Sequence, residues 1–238
     1  MSATITTPNF CGFPREFAEF LFSLQFNNTV DLLLENKLKY KRLITEPLTL
    51  LYHELIPAAM SVSDTLITKP SKCVSTMYSD MRFSRDAPLK GYMYIRFREP
   101  FGERDILGLY FDMGCDYYSY GIRIYKQTSA GMERIRERVT ENCRVFEREL
   151  KHLERLDMKI IGDSFAKDHY PEIKNETVKD LLNRKGFHIA RNRPVDESVY
   201  NGKLQDEIAE AFVQLKGVYG LLKDSLSERQ LAMPLCKN

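Results

Sequence analysis

YMYIRFRE (92–99), DILGLYFDM (105–113) and YYSYGIRIY (117–125) alternate apolar and polar residues with a period of two, the pattern of strands that bury one side. Gly102 and Gly114 stand in the short segments between them, where turns favour residues without a Cβ. Connections this short leave no room for crossover helices, so an antiparallel meander is expected. Met93, Ile95, Phe97, Leu107, Leu109, Phe111, Ile122 and Ile124 fall on the expected core side. Tyr92, Tyr94, Arg96 and Arg98 share the other side of the first strand, Tyr110 and Asp112 that of the second, and Ser119, Gly121, Arg123 and Tyr125 that of the third. If these polar sides coincide, the sheet presents an arginine and tyrosine surface, and Gly121 lets a ligand or a backbone come close. The same pattern also suits a half-solvated sheet with no ligand.

Outward from the meander the period lengthens. Pro14 precedes Phe17, Phe20, Leu21 and Leu24 at helical spacing, up to Asn27-Asn28. Asn28 or Thr29 suits the cap of a second helix holding Leu32, Leu33 and Leu34, and Pro47 suits the start of a third with Leu48, Leu51, Leu55 and Ile56. Beyond Thr128 or Ser129, the residues Met132, Ile135, Val139, Cys143, Phe146, Leu150 and Leu153 predict one long helix of about 40 Å. DMKIIGD (157–163) and GFHIA (186–190) read as strands around a short helix from Glu176 to Arg184, and Leu204 to Leu222 carry a last helix. The expected class is α+β: a central antiparallel sheet flanked by N-terminal helices, one long middle helix and a C-terminal helix. Nothing linker-like divides the chain, so one domain is expected over 13–226, between tails at 1–12 and 227–238.

Composition excludes several classes. The 35 basic and 33 acidic side chains leave a net charge of +2, so no field of one sign would hold the whole molecule on nucleic acid or an anionic membrane. No apolar run approaches the roughly 20 residues of a membrane span. The start MSATITTPNFCGF lacks a basic region followed by an apolar one, and a cytoplasmic location is expected. Five scattered cysteines without a CxxC pair fit free thiols, and four histidines without zinc-site spacing give no metal site. No cofactor is implied. There is no G-x-S-x-G elbow, P-loop or GxGxxG.

Asn27-Asn28, Asp31, Glu35, Lys37, Tyr40 and Pro47 follow the order of a helical motif in an uncharacterised bacterial and fungal family, domain of unknown function 2461, with Val30, Leu32 and Leu33 in place of its Arg, Trp and Phe. MYSDMRFSRDAPLKGY (77–92) is similar to the family's Arg-Asp-x-Arg-Phe-Ser-Lys-Asp-Lys-Ser-Pro-Tyr-Lys, placing Asp80, Arg82, Phe83, Ser84, Arg85, Asp86, Pro88 and Lys90 in register after one deletion. Tyr110, Gly121, Ile135-Arg136, Gly162-Asp163 and Leu182-x-x-Lys185-x-Phe187 resemble its later motifs, so the likeness spans about 13–226. The Lys-Arg and Pro-x-Gly-Tyr of the family are poorly kept around 165–171. The resemblance implies a fold and a segment of interest, and no reaction.

The segment from Asp80 to Lys90 is dense in charge. Arg82 can clamp a carboxylate or phosphate, Lys90 can add a point charge, and Asp80 or Asp86 can orient the guanidinium. An arginine tied to neighbouring carboxylates, with Phe83 as a plug, would make the same cluster a loop brace. These residues, with Tyr110, Gly121 and Lys185, are the candidate site for a small anionic metabolite. An enzyme would instead use Asp86 or Asp163 as base, with Arg82 and Lys185 steadying negative charge. NRKGFHIARNR (183–193) mixes Arg184, Lys185, His188, Arg191 and Arg193 with Phe187, a pattern that single-stranded nucleic acid also favours. The near-neutral charge and the lack of a recognised signature argue against nucleic acid and leave a protein adaptor as the other class. Oligomeric state is not legible.

Overall fold

The computed structural model describes residues 9–78 and 89–227. The N-terminal helices α1 (Phe17–Phe26) and α2 (Val30–Glu35) are separated at Asn27-Asn28, and Thr29 Oγ1 caps α2 by accepting from the Leu32 amide at 3.3 Å. Pro47 stands in the first turn of α4 (Glu46–Val62), the expected third helix, which runs back without a break into a π turn (Lys41–Thr45) and α3 (Lys37–Tyr40). Proline lacks the amide that would bond one turn back, and the wider π turn just before it accommodates the interruption. A single short turn, α5 (Pro70–Cys73), follows.

The sheet has five strands: β1 (Met93–Arg98), β2 (Ile106–Met113), β3 (Tyr117–Tyr125), β4 (Lys159–Ile161) and β5 (His188–Pro194). Their order is β1-β2-β3-β5-β4 and every pairing is antiparallel. The first three form the meander that the turns require, and β5 inserts between β3 and the short edge strand β4. The class is α+β around a central antiparallel sheet.

The helix expected over 129–153 is two helices, α6 (Ser129–Glu141) and α7 (Cys143–Arg155). Between them the Asn142 side-chain amide donates to the Arg138 carbonyl at 3.2 Å, the local competition by which asparagine interrupts a helix. Thr128 Oγ1 caps α6 and Asn175 Oδ1 caps α8 (Glu176–Leu182). A 3-10 turn (Glu197–Tyr200) leads to α9 (Lys203–Gln214) and α10 (Lys216–Ser227), so the C-terminal helix is also divided, at Leu215.

Helices α4, α10 and α9 touch β1, β2 and β3 respectively. Met93, Ile95, Phe97, Leu107, Leu109, Phe111, Ile122 and Ile124 are all buried in one core cluster that runs from Phe10 to Leu222. Phe97 stacks on Tyr52 of α4 at 5.7 Å and meets Phe212 of α9 edge-on at 6.4 Å. That packing turns the apolar side of the meander toward the helices and directs Tyr94, Arg96, Tyr110, Asp112, Ser119 and Arg123 to the other side. Among the described residues no helix is long and apolar enough to cross a membrane, and no group of three or more His, Cys, Asp or Glu is placed to hold a metal.

Candidate functional site

Register decides which polar residues meet. Arg96 pairs with Tyr110, which pairs with Gly121, which pairs with Ala190. One pair along, Tyr94, Asp112, Ser119 and Asn192 form a second row, and on the other side Arg98, Gly108, Arg123 and His188 form a third. Residues opposite each other in antiparallel pairs point to one face. The polar sides of the three meander strands therefore coincide, and β5 extends the face with His188 and Asn192.

At its centre Asp112 draws in two arginines from different strands. Arg123 Nη1 donates to Asp112 Oδ2 at 2.9 Å, and Arg96 Nη2 lies 3.7 Å from Oδ1. The carboxylate is almost covered, with 9% of its side chain exposed against 19% for Arg96 and 30% for Arg123. Burial pushes the Asp112 carboxyl above its ordinary range although both guanidiniums pull it down. Asp112 thus holds the arginines in place at a desolvation cost.

The cations rest on aromatic rings. The Arg96 guanidinium carbon lies 3.6 Å from the Tyr94 centroid and 5.4 Å from that of Tyr125. Arg123 lies 4.2 Å above Tyr110, Arg98 is 5.9 Å from Tyr125, and Lys90 Nζ is 5.3 Å from Tyr94. Such contacts fix a guanidinium without consuming its N–H donors. Beneath Arg123, the buried Tyr110 hydroxyl shares a 2.9 Å hydrogen bond with Ser119 Oγ. Lys90 and His188 are both held below their ordinary proton affinity, by burial first and then by Arg96 and Arg123 respectively. Among the described residues of the meander and its β1 edge, four cations (Lys90, Arg96, Arg98 and Arg123) share the face with one carboxylate, and β4 adds Lys159 opposite Ala190. Arg96 Nε, Asp112 Oδ1 and Tyr125 Oη are buried without a hydrogen-bond partner.

The residues expected from sequence have different fates. Tyr110 and Gly121 lie at the centre of the face, and Lys90 stands at its β1 edge. The reason for Gly121 is structural: its φ is +153° and a Cβ would overlap the Ile189 carbonyl of β5, so it is the neighbouring backbone that comes close. Lys185 lies in the turn before β5, its amide bonded to the Asp163 carbonyl at 2.7 Å, and the structure does not bring it to the face. Asp163 is exposed in the segment that follows β4. Asp80, Arg82 and Asp86, with Phe83, lie outside the described residues.

Sequence reasoning placed Arg96, Arg98, Asp112, Arg123 and Tyr125 on strand sides without ranking them among the candidates. The signal was the period of two together with three basic side chains on it. His188 joins only because β5 pairs with β3, which no local pattern reveals.

A second polar cluster lies at the end of β1, on the core side. Glu99 is 7% exposed and accepts from Ser63 Oγ at 2.7 Å, Thr65 Oγ1 at 2.5 Å and the Tyr219 hydroxyl at 3.1 Å, with Lys223 Nζ at 3.1 Å. Every oxygen of this carboxylate is used, so it ties α4, β1 and α10 together and leaves little to a ligand. An adjacent hollow of about 200 Å³, lined by Phe101, Arg104, Arg134 and Lys223, has its acids Glu99 and Asp105 already paired. A larger one of about 410 Å³ between α7, α8 and β4 has an apolar floor of Leu150, Leu153 and Met158. Neither hollow includes Arg96, Asp112 or Arg123, and neither has a comparable excess of charge.

No curated protein matches the sequence significantly. A family model described as "Conserved hypothetical protein (DUF2461)" matches residues 16–220, a stretch that takes in the N-terminal helices, all five strands, α9 and the start of α10. The chain belongs to the DUF2461 family.

Proposed function

We propose that the polar face of the sheet binds a small anionic metabolite. The observation that carries this reading is the convergence of Arg96 and Arg123 on Asp112 within a face that still holds a surplus of positive charge. Among the described residues one carboxylate faces Lys90, Arg96, Arg98 and Arg123, and an excess of cations on a partly buried floor favours an incoming carboxylate or phosphate. The tyrosine rings and Asp112 hold the guanidiniums in fixed positions, which lowers the ordering cost of binding. Among the described residues of the face the Ser119 hydroxyl is engaged with Tyr110, which favours a reading of binding.

A thermal-shift screen of phosphorylated and carboxylated metabolites tests it. A ligand at 100 times its dissociation constant contributes about 2.7 kcal/mol to stability, a shift of several degrees for a protein of this size. The expected result is a stabiliser whose effect disappears in Arg96→Gln and in Arg123→Gln. If no anion stabilises the protein, or if both variants respond as the parent does, the reading fails.

A further inference from the structure

We infer that the anion taken by this face carries a planar aromatic ring tethered to a phosphate, as a mononucleotide does. The inference rests on the anion-binding reading above and narrows it. Arg123 has one side of its guanidinium on the Tyr110 ring at 4.2 Å, while 30% of its side chain is exposed. Because Tyr110 is fully buried beneath it, the exposure is on the side away from the ring. A guanidinium supported in this way offers a flat, cationic surface of the kind on which nucleobases stack.

The phosphate position follows from the strand order. Arg123 is on β3 and Arg98 is on β1, two strand spacings away or roughly 10 Å across the sheet, while Arg96 reaches in from β1 to meet Arg123 at Asp112. Lys90 joins the β1 side through Tyr94. The stacking surface and this cationic cluster are therefore separated, which suits a ring and a phosphate held apart by a spacer such as ribose. Arg96, held between Tyr94 and Tyr125 and mostly buried with its Nε covered, lies between the two ends. A compact anion such as inorganic phosphate would meet one end of this arrangement only.

Calorimetric titrations of the full chain with adenosine monophosphate, ribose 5-phosphate and adenosine separate the contributions. Adenosine monophosphate is expected to bind at least tenfold more tightly than either fragment. Arg123→Lys keeps the charge and removes the plane, so it should weaken adenosine monophosphate at least tenfold and leave ribose 5-phosphate within twofold. Arg98→Gln, at the rim, should weaken both phosphates and leave adenosine unchanged; it keeps the test open if Arg123→Lys does not fold. Equal affinity for ribose 5-phosphate and adenosine monophosphate overturns the aromatic part and leaves the anion reading standing. A response to non-aromatic carboxylates alone also overturns it, and silence toward every anion overturns both. Preference for a single-stranded oligonucleotide over the mononucleotide replaces the small ligand with nucleic acid.

Discussion

Arg123 lies across the ring of Tyr110 on its way to Asp112: its guanidinium carbon is 4.2 Å from the ring centroid and its Nη1 is 2.9 Å from the carboxylate. The ring is thus a support that carries a long side chain past Gly108 and Tyr110 to reach an acid farther along the neighbouring strand. Tyr110→Phe keeps the ring and removes the hydroxyl, with its hydrogen bond to Ser119 and its contact with Arg123, at a cost of about 1 kcal/mol. Tyr110→Leu removes the ring and leaves Arg123 unsupported. Anion affinity is expected to survive in the Phe variant and to fall about tenfold in the Leu variant, as read by titration calorimetry beside urea unfolding. Equal losses of affinity in both would show that the hydroxyl, and not the ring, matters.

Asp112 competes with any anion for the same two guanidiniums. Breaking a buried ion pair costs about 3–5 kcal/mol when the surviving charge is stranded, but here the carboxyl is itself disfavoured by burial and both arginines retain some exposure. Asp112→Asn is therefore expected to lose less than about 2 kcal/mol in urea unfolding. Phosphate-bearing ligands should bind more tightly, roughly tenfold or about 1.4 kcal/mol. A fall in affinity without loss of stability would mean that Asp112 orients the arginines more than it competes with the ligand.

The meander was readable because its cause is local: a period of two fixes which side chains share a face, and short glycine-bearing turns fix antiparallel neighbours. That logic places Arg96, Tyr110 and Arg123 on a common side. It could not place His188, which reaches the face through the β3–β5 pairing, or exclude Lys185, which lies in the same stretch but ends in a turn. The helix expected over 129–153 failed for another reason. Its apolar spacing passes unbroken through Asn142, and the break comes from a side-chain-to-carbonyl bond that hydrophobic periodicity does not record. The Glu99–Lys223 pair joins residues far apart in the chain and has no sequence signature.

Gly121 distinguishes a packing requirement from a ligand contact. Its φ of +153° and the overlap of any Cβ with the Ile189 carbonyl mean that Gly121→Ala must displace β5 or strain β3, at a cost of about 2 kcal/mol or more. Gly220 is the control. It lies within α10, and a Cβ there has no heavy atom within 4 Å, so Gly220→Ala is expected to stabilise by roughly 0.5–1 kcal/mol. Thermal unfolding of the two variants should move in opposite directions. A neutral Gly121→Ala would mean that β5 is not held against β3 in this register.

Glu99 governs acid stability. Burial raises its carboxyl, but hydrogen bonds from Thr65, Ser63 and Lys223 and the charge of Lys223 outweigh that, and the net shift is below the ordinary value of 4.5. A carboxyl depressed in the folded state adds stability that is fully present above its unfolded value and is lost as pH falls from about 4.5 through the folded one. Glu99→Gln removes this acid-sensitive contribution. It also leaves Lys223 without its carboxylate and puts an NH₂ where an acceptor served Ser63 or Thr65, so a loss of about 2 kcal/mol or more at neutral pH is expected. The difference in stability between parent and variant should shrink as pH falls from 5 toward 3, measured by urea unfolding at each pH. A constant difference across that range would show that the carboxylate is not held in its charged form by these partners, and that the network acts through packing alone.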